Sequence, residues 1–204
     1  MIKLNLGCGI GLTEGFINID KYVTMDDIIT GRAERSQVTG EEHPITKDMK
    51  FVQADVLALP FADNYADYIE SIDMIEHLDM LDVIPALQEM YRVLKPGGKM
   101  HLFTNDFDYL ARLWVEHIAD GVYDFDKFYD LAQIVYGNQA HPGEYHKTPF
   151  TPDFMKDCMQ RAGWTKFKIG IYPHGCTDVP PLQTHKWLEG TTVKTNAILT
   201  IGEK

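Results

Sequence analysis

The stretch LNLGCGIGLTEGFINID, residues 4–20, holds two short apolar runs, each stopping on residues suited to a ligand. Ile2 to Leu6 ends at Gly7-Cys8-Gly9-Ile10-Gly11, and Phe16-Ile17-Asn18-Ile19 ends at Asp20. Apolar runs of this length bounded by turn residues read as strands. A glycine turn after a strand lets a ligand lie against bare backbone, because no Cβ intrudes and positive φ is allowed. Only Leu12-Thr13-Glu14-Gly15 separates Gly11 from the second run, too little for a helix. Position 12, where a dinucleotide fingerprint has its third glycine, is Leu. A pyrophosphate would find no helix N-terminus to attract it.

Strands and helices alternate beyond this stretch. Phe51-Val52-Gln53-Ala54 reads as a third strand stopping at Asp55, and Ala66 to Ser71 as a fourth. Ile84, Leu87, Tyr91 and Leu94 share a helical face that Pro96-Gly97-Gly98 terminates, and Lys99 to Thr104 is a fifth strand. Asn105 or Asp106 caps a helix with Phe107, Leu110, Trp114 and Ile118 on one face. A further helix is predicted from Asp124 to Tyr136. Another follows Thr151, with Pro152 in first position and Gly163 as its stop. Lys166 to Tyr172 and Val193 to Ile201 complete the strands, as a hairpin that places an antiparallel strand in the sheet. This alternation predicts a single α/β domain over 1–204, with a mostly parallel sheet covered on both faces. The stretch from about Tyr22 to Lys50 is polar, holds Gly31, Gly40 and Pro44, and reads as a long connection that serves as a wall or lid.

Composition narrows the class. With 45% hydrophobic and 24% charged residues the 204-residue chain is an ordinary globular protein. No apolar run approaches the ~20 residues of a membrane span, and MIKLNLGCG lacks a signal peptide's longer apolar stretch. Thirty acids against nineteen bases leave a net charge of -11 without any Lys/Arg run, which disfavours nucleic acid. Three widely spaced cysteines without CxxC argue against a disulfide framework or zinc knuckle and fit a cytoplasmic protein.

In an open α/β sheet, ligands bind beyond the carboxyl ends of the strands. Those ends carry Gly7-Cys8-Gly9, Asp20, Asp55, Ser71-Ile72-Asp73 and Asn105-Asp106. Acids there would repel a pyrophosphate and suit a ligand with a cationic centre and free ribose hydroxyls. Asp20 is placed to take both hydroxyls in a bidentate grip, and Asp55 to accept from an adenine amino group.

LNLGCG at 4–9, INID at 17–20, ADVLALPFADNYADYI at 54–69, IEHL at 75–78 and YRVLKPGGKM at 91–100 together resemble the class I S-adenosylmethionine-dependent methyltransferases, in particular the small methyltransferase-11-like group. The resemblance implies a Rossmann-like seven-stranded sheet and S-adenosyl-L-methionine as cofactor. Gly7 and Gly9, with Cys8 between them, would flank its methionine part; Asp20, followed by Lys21, its ribose. Asp55 and Val56 would bracket the adenine, and Ser71 and Ile72 would line the sulfonium side. The chain departs from the pattern in lacking a full helix between the glycine turn and the second strand. YGNQAHPGEYHKTPFT at 136–151 resembles a branch associated with glycan pathways. The implied partner is a small-molecule or glycan-precursor acceptor, with a homodimer left open.

Residues 105–150 read as an acceptor-side insertion. His146 is the first candidate general base, since imidazole titrates nearest neutral pH, with Asp106 and Tyr136 behind it. Glu76-His77 reads as a pair that fixes its loop by hydrogen bonds. Cys8 lacks a nearby base and reads as a small apolar filler. His141 and His146 with Glu144 lack a ligand-spacing partner, so no metal is expected. Two rival readings are a nicotinamide-dependent oxidoreductase or epimerase with an aberrant turn, and a non-catalytic cofactor-binding regulatory module.

Overall fold

Strand β1 (Lys3–Leu6) lies in mid-sheet, parallel to β2 (Ile17–Asp20) on one side and β4 (Ala66–Ile72) on the other. The computed structural model describes residues 1–204 except 41, 43, 120, 122 and 174–195. Beyond β2 comes β3 (Lys50–Gln53), and beyond β4 comes β5 (Leu94–Asn105), both parallel to their neighbours. Then β7 (Asn196–Glu203) runs antiparallel to β5, and β6 (Lys166–Pro173) antiparallel to β7. The seven strands stand in the order β3-β2-β1-β4-β5-β7-β6. The start of the last strand expected at Val193 lies outside the described residues, as does Cys176, and the side chain of Ile118 is not described.

On one face Leu4, Leu6, Ile69, Met100 and Leu102 meet helices α2 (Val83–Val93) and α5 (Pro152–Arg161). Trp164 closes that core. It is almost fully buried, its indole N–H donates to the Leu87 carbonyl at 3.1 Å, and its ring occupies the space that a Cβ on Gly202 would need. Thr151 caps α5 as expected, its hydroxyl accepting from Phe154 N at 3.2 Å with Pro152 behind it. Thr151→Ala lowers stability by about 1 kcal/mol, seen as an earlier urea midpoint with unchanged slope.

Helix α1 (Met25–Thr39) covers the opposite face near β2 and β3, in the stretch expected to be a connection. Its start is a capping box. The Asp27 carboxylate accepts from Thr24 N at 2.7 Å and Thr24 Oγ1 at 2.6 Å, while that hydroxyl accepts from Asp27 N. Among the described side chains of this helix, Ile28 is the fully buried hydrophobe, packed with Cys8 and Leu12. Periodicity therefore gave no signal, because the apolar stripe that marks an amphipathic helix is nearly absent.

Residues 7–16 join two parallel neighbours without a helix, although such crossovers usually take a dozen residues or more. A buried amide network holds this short link. Asn18 Oδ1 accepts from Asn5 Nδ2 at 2.9 Å and Thr13 N at 2.8 Å, and Asn18 Nδ2 donates to the Thr13 and Lys50 carbonyls, each at 3.1 Å. Helices α3 (Phe107–Ala119) and α4 (Phe125–Tyr136) follow β5 and pack on each other through Trp114 and Phe128, beyond the carboxyl end of β5. β5 begins at Leu94, five residues before its expected start. Pro96-Gly97-Gly98 is absorbed as an irregularity where the β4–β5 register shifts, and does not break the extended chain.

Candidate functional site

The ends of β1, β2 and β4 and the turn after β3 open onto one cleft. Gly7 and Gly9 both adopt positive φ, and a Cβ on Gly7 would overlap the Met74 side chain. Gly7 N and Cys8 N donate to the Ile19 carbonyl at 2.8 and 3.1 Å, which ties the glycine turn to β2. The Asp20 carboxylate completes the tie: one oxygen accepts from Gly9 N at 2.9 Å, the other from Tyr22 N at 2.8 Å and Val23 N at 3.2 Å.

Asp55, in the turn after β3, pairs with Lys21 at 2.8 Å. Desolvation pushes its carboxyl up, but the Leu57 N–H and the Lys21 ammonium together outweigh this and hold it below the usual carboxylate range. Leu6, Ile19, Ala54, Val56 and Leu57 supply an apolar lining. Asp73, Met74, His77 and Leu78 form the wall after β4, continued by Asp79 and Asp82.

The roof comes from the loop after α4. His141, Gly143, Glu144 and Lys147 line the cleft, and the His141 ring stands 6.1 Å from that of Tyr22. Backbone bonds hold the base of this loop: Lys147 N and Thr148 N both donate to the Glu76 carbonyl, and Thr148 Oγ1 to that of Leu78. Six acids and two lysines line the cleft, so its field favours a cationic ligand. Among the described residues no group of three or more His, Cys, Asp or Glu is arranged to hold a metal ion.

Residues 4–102 match the family described as "Methyltransferase domain". The chain carries a class I methyltransferase domain. Over 207 aligned residues it is 28% identical to "Probable methyltransferase ltbC" of Aspergillus luteorubrus, covering 91% of this chain and 65% of that protein. It is 30% identical over 118 residues to the ubiquinone/menaquinone biosynthesis C-methyltransferase UbiE of Ruegeria sp. (strain TM1040), covering 57% of this chain and 45% of the relative. The chain thus spans less than two thirds of these curated relatives. Its fold matches a SAM-dependent methyltransferase from Archaeoglobus fulgidus with TM-score 0.58 at 16% identity, over 99% of this chain and 85% of the other.

Of the residues expected to hold the cofactor of this methyltransferase domain, the cleft brings together Gly7, Gly9, Asp20, Lys21, Asp55 and Val56. Three expectations need correction. Cys8 turns its side chain into the cluster of Leu12 and Ile28, where burial, and then the charge of Asp20, push its thiol far up. Ser71 is fully buried and donates to the Leu6 carbonyl at 3.2 Å. Ile72 packs beside Phe103 and Leu199. β4 runs through Ile72, so Asp73 and Met74, not Ser71 and Ile72, stand at the strand end.

The candidate bases fall outside the cleft. Asp106 is buried and caps α3, accepting from Tyr109 N at 3.4 Å. Tyr136 and His146 line a second cavity of about 230 Å³ behind the first. His146 donates through Nδ1–H to the Ile134 carbonyl at 2.7 Å, and its ring packs edge-on against His77 with centroids 4.6 Å apart. Of this edge-on pair it is His77 that lines the cleft, with its Nδ1 3.2 Å from the Tyr145 carbonyl. Glu76 does fix its loop, accepting from Thr104 Oγ1 at 2.8 Å, whereas its neighbour faces the ligand space. His77 was missed because the loop that sets its orientation arrives from about seventy residues away.

Burial, and then the neighbouring His77, push His146 down to about 4 from its ordinary 6.5. The unfolded chain then binds the extra proton first, so this contribution to stability is complete above about pH 6.5 and is lost as pH falls toward 4. Denaturant titrations at pH 7, 5.5 and 4 should show stability falling on acidification, and more gently in His146→Gln.

Proposed function

We propose that this chain is an S-adenosylmethionine-dependent methyltransferase acting on a small-molecule or glycan-precursor acceptor. The observation that carries this reading is the cleft itself: bare backbone at Gly7 and Gly9 facing carboxylates at successive strand ends. The bound cofactor would supply an electrophilic methyl on a positively charged sulfur, which the acidic lining favours. Asp20 already accepts three N–H groups of the roughly four a carboxylate can take, which leaves room for one ribose hydroxyl, not for the two first expected. Asp55 keeps acceptor capacity for an adenine amino group beside its pair with Lys21. Apolar Val56 and Leu57 suit the face of the base.

The chain's own task is then to hold acceptor, carbon and sulfur in line and dry, where positioning supplies several kcal/mol of the roughly 7–11 available to well-oriented pairs. His77 borders that space, and His146 packs edge-on against its ring from the second cavity. A small acceptor agrees with the relative named for quinone biosynthesis, and the net charge of -11 disfavours nucleic acid. No helix among the described residues is long and apolar enough to cross a membrane.

Calorimetry with S-adenosylmethionine and S-adenosylhomocysteine, followed by detection of methyl transfer to metabolite and sugar-nucleotide mixtures, tests the proposal. Micromolar binding with transfer is expected. A thermal shift with NAD and none with S-adenosylhomocysteine would replace it with the oxidoreductase reading. Binding without transfer to any acceptor would favour the regulatory module.

A further inference from the structure

The second cavity combines apolar walls with several polar side chains and a single acid, Glu76. Phe107, Leu110, Ile134, Val135 and Phe150 form its apolar walls, and Glu76, 3% exposed, lines it from the side of the cleft. Its volume of about 230 Å³ is on the scale of a small metabolite. The two spaces are neighbours. Lys147 lines both, and His77 of the cleft packs edge-on against His146 of the cavity.

Glu76 is held by neutral donors, Thr104 Oγ1 at 2.8 Å and Asn105 Nδ2 at 3.4 Å. Among the described residues no Lys, Arg or His forms an ion pair with it, and the Lys147 ammonium is engaged by Asp79 at 3.4 Å. A carboxylate taken out of water without a counter-ion is costly, so the group either keeps its proton or waits for a cation. Burial, and then the charge of Asp73, hold it well above the usual carboxylate range.

We infer that this cavity is the acceptor pocket and that it takes a compact, largely apolar molecule bearing a basic nitrogen, bound through Glu76. The inference rests on the methyltransferase reading above and names the acceptor class for it. An ammonium brings both the missing positive charge and three donors, whereas a hydroxyl offers only a neutral bond and a carboxylate is repelled. Ammonium and Glu76 carboxylate together hold the proton that must leave before the nitrogen can attack. It passes from nitrogen to carboxylate, the nitrogen–carbon bond forms as the carbon–sulfur bond breaks, and the positive charge moves from sulfur to the methylated nitrogen.

Three probes sharing one skeleton decide the matter: phenethylamine, 2-phenylethanol and phenylacetate, each offered with S-adenosylmethionine to the full chain. The amine is expected to be methylated with kcat/KM at least about tenfold above the other two. Glu76→Gln should lower that value about tenfold or more while S-adenosylhomocysteine affinity stays within about twofold. Should that variant not fold, Val135→Trp, which fills the cavity from a half-exposed position, must abolish amine turnover with the same affinity retained. Equal or better use of the alcohol or carboxylate, wild-type amine turnover in folded Glu76→Gln, or no methylation of any probe by a protein that binds S-adenosylhomocysteine overturns the pocket assignment. Loss of S-adenosylhomocysteine binding in the wild type instead defeats the methyltransferase reading itself.

Discussion

Replacing Asp20 by Ala is expected to weaken S-adenosylhomocysteine binding about a hundredfold, or ~3 kcal/mol, in calorimetry. The figure lies at the upper end for a charged hydrogen bond because the carboxylate does two jobs. It faces the cleft, and it fastens Gly9, Tyr22 and Val23 through their backbone N–H groups. Without it the glycine turn keeps only the bonds from Gly7 and Cys8 to the Ile19 carbonyl. Asp20→Asn should recover only part of the loss, since one side of an amide presents a donor where the backbone also donates. By contrast Lys21→Ala removes a half-exposed ion pair, worth at most about 1 kcal/mol. An unchanged dissociation constant for Asp20→Ala would remove this residue from the binding site.

The residues of the cleft that sequence revealed are those whose chemistry and position coincide. A glycine turn and an acid at a strand end are local facts, and Gly7, Gly9, Asp20 and Asp55 could be named from them. Ser71 and Ile72 lie within β4 and not beyond it because the end of a strand is set by its pairing, here Ser71 to Leu102 and Ile72 to Phe103, and not by its own composition. Helix α1 was hidden for a different reason. Its stability comes from the Thr24–Asp27 cap and from Ile28 docking, neither of which makes a periodic pattern.

The roof of the cleft was legible as polar residues 136–146 and no further. What orients them is the pairing of Lys147 and Thr148 with the Glu76 carbonyl, a contact across seventy residues. That His77 lines the cleft while His146 lines the second cavity follows from the same contact. Titration behaviour singles out a histidine in isolation, but which of two adjacent rings meets the ligand is decided by packing. The substitution of a buried amide cluster for a helix between β1 and β2 was visible only as a gap, since Asn5, Thr13 and Asn18 are ordinary turn-forming residues until their side chains meet.

Trp164→Ala should be the most destabilising single change in the described core, costing about 3–5 kcal/mol. The ring is almost fully buried between α2 and β7, lies edge-on to Tyr91 with centroids 5.1 Å apart, and fits a space shaped by the absent side chain of Gly202. Truncation removes these contacts and leaves a cavity walled by α2 and α5, which meet through side chains already committed to the sheet and cannot collapse into it. For a chain of this length the loss corresponds to a melting temperature lower by roughly 6–20 °C. Trp164→Phe keeps most of the ring and gives up the N–H bond to the Leu87 carbonyl, so it should cost less than half as much. Neither cavity is lined by Trp164, and the folded fraction of both variants should bind S-adenosylhomocysteine as the wild type does. A melting temperature for Trp164→Ala within about 2 °C of the wild type would mean that this half of the core repacks, and that α5 is held to the sheet by something other than the indole.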